Sequence, residues 1–239
     1  MLPQGYTIKV FADGADLGVI REMSKKSGIK GFTTNPTLMR GAGVDDYQGF
    51  ARDVLAIIKD RPVSFEVFAD DLPTMETQAR EIATWGPNVN IKIPITNTKG
   101  QSTAELIGRL SKDGIVINVT AMFTLKQVQE IVDVIDPATP AILSVFAGRI
   151  ADAGLDPVPL MQEALRKMEV RPLAELLWAS PREVLNVVQA NDIGCHIITI
   201  TDGIINKLAG LGKGLDQFSL ETVEMFYNDA QKAGYSISS

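Results

Sequence analysis

Asn90-Ile91-Lys92-Ile93-Pro94 is a short apolar run with a lysine at its centre, and it reads as a buried strand. A lysine there is costly unless it is paired, sits at the strand end or stays neutral. Two readings stand side by side. One is a side chain that snorkels to the sheet rim or meets a carboxylate. The other is a desolvated, neutral amine that attacks carbonyls. The rest of the chain has to decide between them.

Outward from this run, short apolar segments alternate with amphipathic stretches eight times over. Strands are expected at Ile8–Asp13, Gly31–Asn35, Val63–Phe68, Val89–Pro94, Ile115–Thr120, Ala141–Phe146, Leu176–Ser180 and His196–Thr201. A helix should follow each one: Leu17–Lys26, Tyr47–Lys59, Thr74–Thr84, Ser102–Ser111, Leu125–Ile135, Pro157–Met168, Pro181–Gln189 and Ile204–Leu208. Thr124 and Ser180 suit helix caps, and Pro157 and Pro181 suit a first helical turn. Eight such units point to an α/β chain folded as a closed (β/α)8 TIM barrel, one domain over residues 1–239. An open doubly wound sheet is the alternative, but Asp13-Gly14-Ala15-Asp16 is not a glycine-rich phosphate loop. Residues 215–239 add a C-terminal helix and tail, helical over Ser219–Lys232, after the glycine-rich 210–214. Its periodicity allows packing on its own barrel or on a neighbouring subunit.

Composition narrows the chemistry. The 239 residues are 45% hydrophobic and 22% charged, an ordinary globular balance. A formal charge of −6 argues against nucleic acid and against an anionic membrane surface as partners. Met1–Gly5 lack the basic start and apolar core of a signal peptide, and no run approaches the ~20 residues of a membrane span. The one cysteine, Cys195, rules out an internal disulfide and fits a reducing cytoplasm. The one histidine, His196, makes a histidine-rich zinc site impossible within a chain. An oxygen-ligand magnesium site stays open, but the expectation is an enzyme that uses Lys, Asp, Glu, Thr and Ser with no metal and no cofactor.

In a parallel barrel, side chains alternate between the interior and the helix layer, and active sites lie at the carboxyl ends of the strands. Parity turns Phe11 and Asp13 inward from the first strand, then Thr33 and Asn35, then Ser64, Glu66 and Phe68. The fourth strand turns in Asn90, Lys92 and Pro94, the fifth Asn118, Thr120 and Met122, the sixth Ile142, Ser144 and Phe146, the seventh Trp178 and Ser180. The opposite faces, such as Val63, Phe65, Ile91, Ile93 and Val145, suit the helix layer. Each inward polar residue alone has a plain structural explanation, as a cap, a turn or an ion pair. Together they would destabilise the interior unless it held a ligand or water. A lysine beside an Asp and a Glu is equipped for Schiff-base chemistry. The amine attacks a ketone, the carboxyls move protons, and the iminium lets a carbon–carbon bond one carbon away break or form.

These residues resemble the transaldolase family of class I aldolases, which includes the fructose 6-phosphate aldolases. The likeness is carried by Phe-Ala-Asp-Gly-Ala-Asp at 11–16, Thr-Thr-Asn-Pro-Thr-Leu at 33–38, Ser-Phe-Glu-Val at 64–67, Ile-Lys-Ile-Pro-Ile-Thr at 91–96, Asn-Val-Thr at 118–120 and Ser-Val-Phe-Ala-Gly-Arg-Ile at 144–150. The resemblance implies that Lys92 forms the Schiff base and that Asp13 is the acid/base on the acceptor-side hydroxyl. It implies that Glu66 and Thr120 position a proton-relaying water. Asn35, Asn118 and Ser144 would bind the hydroxyls of a dihydroxyacetone unit, and Arg149 and Arg182, with Ser180, would clamp a phosphate. Glu66 and Phe146 stand where the aldolase subgroup has Gln and Tyr, which favours transfer over release.

The pattern is departed from at Gly14, at Thr201-Asp202-Gly203, at Pro181 and at Trp178, whose inward bulk would reshape the distal pocket. The implied partners are a ketose phosphate, fructose 6-phosphate or sedoheptulose 7-phosphate, and an aldehyde acceptor. An aldolase or specialised transferase for a sulfonated or biosynthetic ketose is the second reading, and a non-catalytic sugar-phosphate-binding barrel the third. Small members of the family look like homo-oligomers, pentamers or decamers with a swapped carboxyl-terminal helix.

Overall fold

The structure is a computed structural model that describes residues 2–237; Met1, Ser238 and Ser239, the ends of the expected domain and tail, lie outside the described residues. Eight parallel strands close in sequence order into a barrel. They are β1 (Lys9–Asp13), β2 (Ile29–Thr33), β3 (Val63–Glu66), β4 (Val89–Pro94), β5 (Ile117–Met122), β6 (Ala141–Val145), β7 (Ala174–Trp178) and β8 (Ile197–Ile200). The helices are α1 (Leu17–Ser24), α2 (Pro36–Gly41), α3 (Tyr47–Ile57), α4 (Leu72–Ala83), α5 (Ala104–Lys112), α6 (Leu125–Val134), α7 (Ala147–Asp152), α8 (Pro157–Met168), α9 (Leu185–Asp192), α10 (Asp202–Lys207) and α11 (Leu215–Ala233). The expected TIM barrel with an added C-terminal helix is what the chain forms.

Periodicity alone does not reveal α2 and α7, two short helices inserted at the mouth. Pro36 ends β2 and begins α2, while Asn35 caps it by accepting from the Leu38 amide at 3.0 Å. Thr124 caps α6 within a capping box, and Pro157 opens α8, both as the sequence suggests. Ser180 and Pro181 do not start a helix. Ser180 is left-handed, at φ 60°, and α9 begins only at Leu185.

Two apolar regions flank the sheet. The larger lies between strands and helices and takes in Val10, Phe65, Ile91, Ile93, Val119, Val145 and Trp178. The smaller fills the barrel floor with Phe11, Ile142, Leu177, Ala179 and Ile197. Phe11 fits because its neighbour on β2 is Gly31, where a Cβ would stand 2.5 Å from the ring. Above this apolar floor, the polar groups of the site gather at the carboxyl ends of the strands.

Trp178 corrects the inward reading of the seventh strand. Ser144 pairs in register with Leu177, so Leu177 faces the interior and Trp178, opposite Val145, is buried under the helices. It does not line the site. Ser180 still reaches the mouth, because its left-handed backbone turns the chain after the strand has ended.

The C-terminal helix α11 buries none of its side chains. Leu215, Phe218, Leu220, Val223, Met225, Phe226 and Tyr227 are all at least half exposed. Among the described residues, no helix is long and apolar enough to cross a membrane.

Candidate active site

Lys92 lies near the end of β4, with only 6% of its surface exposed. Its parity sets it inward, while Ile91 and Ile93 are fully buried in the helix layer. The register Glu66↔Lys92↔Asn118 across β3, β4 and β5 places three polar side chains side by side on the inner face. The Lys92 amine stands 3.0 Å from Glu66 Oε2 and donates to the Thr34 carbonyl at 2.8 Å. Thr34 is free to offer that carbonyl because the chain leaves the sheet there on its way into α2.

Asp13 ends β1 on the other side of β2. It accepts from the Thr33 hydroxyl at 2.7 Å, and Thr33 meets the Thr199 hydroxyl at 2.5 Å. Thr33 has one proton, given to Asp13, so the second bond requires Thr199 to donate. Asp13 is held above the ordinary carboxylate range. Burial is the main cause, opposed by the Lys92 charge and the Thr33 hydrogen bond and reinforced by Glu66. A carboxyl that retains its proton more readily is suited to donate as well as to accept.

Beside Lys92, Ser144 donates to Asn118 Oδ1 at 2.6 Å, and Asn118 donates to Ser64 Oγ at 3.1 Å. The three side chains form one buried hydrogen-bonded strip. Thr120 stands one rung above Asn118's outward neighbour, opposite Pro94.

A cavity of about 420 Å³ joins these groups. Its walls include Asp13, Thr33, Asn35, Glu66, Lys92, Asn118, Thr120, Ser144, Phe146, Arg149, Ser180, Arg182 and Thr199. Eleven of the twelve residues nominated from the sequence thus meet at one cavity, and Trp178 is the exception. Two non-glycine residues with left-handed backbone, Ala121 at φ 59° and Ser180 at φ 60°, also line it. Ala121 sits in the irregularity of β5 beside Thr120. Such conformations cost about 1 kcal/mol or more and persist where the fold over-determines them. A third close fit lies next to Ser180: a Cβ on Gly148 would stand 1.5 Å from the Ser180 carbonyl, so only glycine lets α7 approach this edge.

The mouth carries the cations. Arg149, on α7, lies with its guanidinium carbon 5.9 Å from the Phe146 ring, and Phe146 in turn packs on Phe123 at 5.7 Å. Arg182 borders the cavity, but its fork is engaged from behind by both carboxylate oxygens of Asp152. That pairing holds the Asp152 carboxyl below its usual range. The distal end therefore presents two guanidinium groups, one of them fixed in orientation by a carboxylate. An anion at the end of a bound chain would meet both.

Sequence reasoning did not nominate Thr33, Ser64 or Thr199 as site residues, nor the Thr34 carbonyl. Alternation in Ile197-Ile198-Thr199-Ile200 turns Thr199 inward with Ile197 and was sufficient to find it. A backbone carbonyl has no such signal.

Comparison with known proteins agrees with this geometry. Residues 10–237 match the family described as Transaldolase/Fructose-6-phosphate aldolase. A "Probable transaldolase" of Dehalococcoides mccartyi is 34% identical over 202 residues, 84% of this chain and 90% of the relative. One from Streptococcus agalactiae is 35% identical over 196 residues, 82% of this chain and 86% of the relative. One from Methanococcus maripaludis is 33% identical over 202 residues, 84% and 89% of the two chains. Among solved structures, the thiamine phosphate pyrophosphorylase of Pyrococcus furiosus superposes with a TM-score of 0.55 at 9% identity, over 82% of this chain and 86% of that one. A 2,3-dimethylmalate lyase gives 0.55 at 12% identity, over 96% and 84%. At such identities these two share the fold alone. The relatives and the matched motif span nearly the whole barrel, and the chain belongs to the transaldolase/fructose-6-phosphate aldolase family.

Proposed function

We propose that the chain is a transaldolase-type transferase, which moves a dihydroxyacetone unit from a ketose phosphate to an aldehyde through a Schiff base on Lys92. Family membership supports aldolase-type chemistry. The observation that carries the finer reading is the Lys92 amine, enclosed at a cavity with Glu66 at 3.0 Å and the raised carboxyl of Asp13 opposite.

The steps follow from that arrangement. Lys92 passes a proton to Glu66 and attacks the ketone carbon. The carbinolamine loses water with Glu66, assisted by Thr120 and a relayed water, supplying and taking protons. The carboxylate of Asp13 removes the proton of the hydroxyl on the β-carbon, two carbons beyond the iminium carbon. The carbon–carbon bond breaks, its electron pair enters the iminium as an enamine, and the aldose leaves. An incoming aldehyde reverses the sequence, taking back the proton from Asp13. Asn35, Asn118 and Ser144 would hold the dihydroxyacetone hydroxyls. Arg149, Arg182 and Ser180 would hold the distal phosphate, Arg149 with its guanidinium fork and Arg182 with the Nη1 group that Asp152 does not engage. Fructose 6-phosphate and sedoheptulose 7-phosphate fit a donor of this class.

Borohydride reduction in the presence of donor ketose, followed by peptide mass spectrometry, tests the reading. The expected result is a three-carbon adduct on Lys92. No adduct under saturating donor would leave a barrel that binds sugar phosphates without turnover.

Phe146 bears on transfer against release. A ring without a hydroxyl cannot protonate the enamine at the mouth, so the intermediate waits for an acceptor. Phe146→Tyr is expected to raise the share of free dihydroxyacetone by about an order of magnitude, less than the ~10²-fold that an optimally placed proton donor supplies. Quantifying dihydroxyacetone against transfer product checks it, and an unchanged ratio would remove Phe146 from this role. A modified ketose, sulfonated or biosynthetic, is the second substrate class to include in a donor–acceptor panel.

The exposed apolar side chains of α11 support a homo-oligomeric assembly in which it packs on a neighbour, and the likeness to small family members suggests a pentamer or decamer. A 19-residue helix with no buried side chain is marginal alone in water, and its exposed Leu, Phe, Met and Tyr side chains need a partner. A reducing cytoplasm is the compartment this reading assumes.

A further inference from the structure

The carboxylate of Glu66 is only as well placed as the backbone that carries it, and that backbone is unsupported by the sheet on one side. In a parallel strand, successive residues direct their amide and carbonyl to opposite neighbours. Val67, next to Glu66, donates to the Lys92 carbonyl on β4 at 3.1 Å. Glu66 therefore points its own N–H and C=O towards β2. Strand pairing between β2 and β3 runs only from Phe32↔Val63 to Thr33↔Ser64, after which β2 breaks away at Asn35-Pro36. The rung that Glu66 needs does not exist.

Tyr47 supplies it. This residue opens α3, directly after the cap Asp46. Its hydroxyl accepts from the Glu66 amide at 2.8 Å and donates to the Glu66 carbonyl at 3.0 Å. One phenol thus satisfies both backbone groups of one residue. The ring is fixed by edge contacts to Phe65, Phe68 and Trp85, with centroids 6.2, 4.5 and 5.6 Å away. The hydroxyl stays a neutral donor, because burial drives its titration well above the ordinary phenol range. Beyond Glu66 a different side chain takes over: Gln78 Oε1 accepts from the Phe68 and Ala69 amides, both at 2.9 Å. The support at Glu66 itself comes from Tyr47.

We infer that Tyr47 is a positioning residue: its hydroxyl replaces the missing β2 rung and holds the Glu66 carboxylate against the Lys92 amine. The inference rests on the proposed role of Glu66 in forming and dehydrating the carbinolamine. Tyr47 touches neither the cavity nor substrate, and it acts through Glu66 alone.

Tyr47→Phe keeps the ring in its aromatic cluster and removes only the oxygen. Two measurements are made on the intact protein. Amide hydrogen exchange reports the hydrogen bond without reference to any reaction: the Glu66 amide should exchange more than about tenfold faster, with the Val67 amide unchanged. The rate of borohydride-trapped imine on Lys92, with fructose 6-phosphate as donor, should fall about tenfold with little change in half-saturating concentration. In a Glu66→Gln background the same change should add almost nothing, since a positioning residue has no effect once its client is gone. Faster exchange with an unchanged trapping rate, or a full additional loss in the Glu66→Gln background, would reduce Tyr47 to a structural support and overturn the inference. Unchanged exchange at Glu66 would also overturn it. If the wild type gives no adduct, the imine reading fails on its own account, and the hold of Tyr47 on Glu66 is decided by exchange alone.

Discussion

Lys92→Met is expected to lower transfer by at least about 10⁴-fold and to leave the barrel folded. Methionine matches the length of the lysine stem and packs against the same walls, but it has no amine. No other lysine borders the cavity among the described residues, so no second nucleophile can stand in. The fold should survive because the sheet hydrogen bonds at Lys92 are backbone bonds, and its neighbours Ile91 and Ile93 hold the strand from the outer face. The substitution does leave Glu66 and Asp13 without their cation. Asp13, already held above the ordinary carboxylate range by burial, then loses the Lys92 charge that opposes that shift. The variant should therefore lie close to wild type in melting temperature near pH 5 and fall behind as the pH rises. Circular dichroism, melting temperature and the borohydride adduct, which should be absent, check the three parts. A variant that unfolds would make Lys92 a member of a structural ion pair. Surviving turnover would remove it from the chemistry.

The parity of the strands made most of this site legible. Asp13, Glu66, Lys92, Asn118 and Ser144 all occupy inward positions of strands whose edges the sequence marks well, and the parallel register then lines them up. Parity fails where the chain stops being a strand. Leu176–Ser180 reads as one run with Trp178 and Ser180 on one face, yet the strand ends at Trp178 and Ser180 turns back with positive φ. The turn at Ser180 packs closely on Gly148 of α7, a contact between a loop and a helix distant in sequence that local pattern does not encode. The same limit hid α2 and α7, each six residues long and shorter than a period-based reading resolves. It also hid Tyr47, whose position at the start of a helix says nothing about a strand rung missing elsewhere. The motif Thr-Thr-Asn-Pro shows where β2 ends, but what replaces it beside Glu66 is a tertiary fact.

Asp13→Asn is expected to cut transfer by about 10²–10⁴-fold and to make the barrel more stable at neutral pH. Asparagine is isosteric and can still accept from Thr33, but it cannot move a proton to or from the acceptor-side hydroxyl. In the proposed mechanism imine formation depends on Lys92 and Glu66, so the borohydride adduct on Lys92 should persist while carbon–carbon cleavage stops. The stability gain follows from the direction of the Asp13 shift. Burial outweighs the Lys92 charge and the Thr33 hydrogen bond, and Glu66 adds to it, so the carboxyl titrates higher in the folded chain than in the unfolded one. The folded state then binds the proton more tightly, and wild-type stability falls as pH rises from the unfolded value near ~3.9 through the folded one. Asparagine carries no charge and escapes that loss. Its advantage should be about 2–4 °C in melting temperature at pH 7 and should vanish towards pH 4. An asparagine variant that is instead less stable than wild type at pH 7, with the deficit closing on acidification, would mean that Asp13 is stabilised as an anion, the mark of a structural ion pair with Lys92. A gain for asparagine at pH 7 that closes on acidification would show a carboxylate that weakens the fold at the pH where it is ionised. Packing gives no reason for such a group, and bond cleavage does.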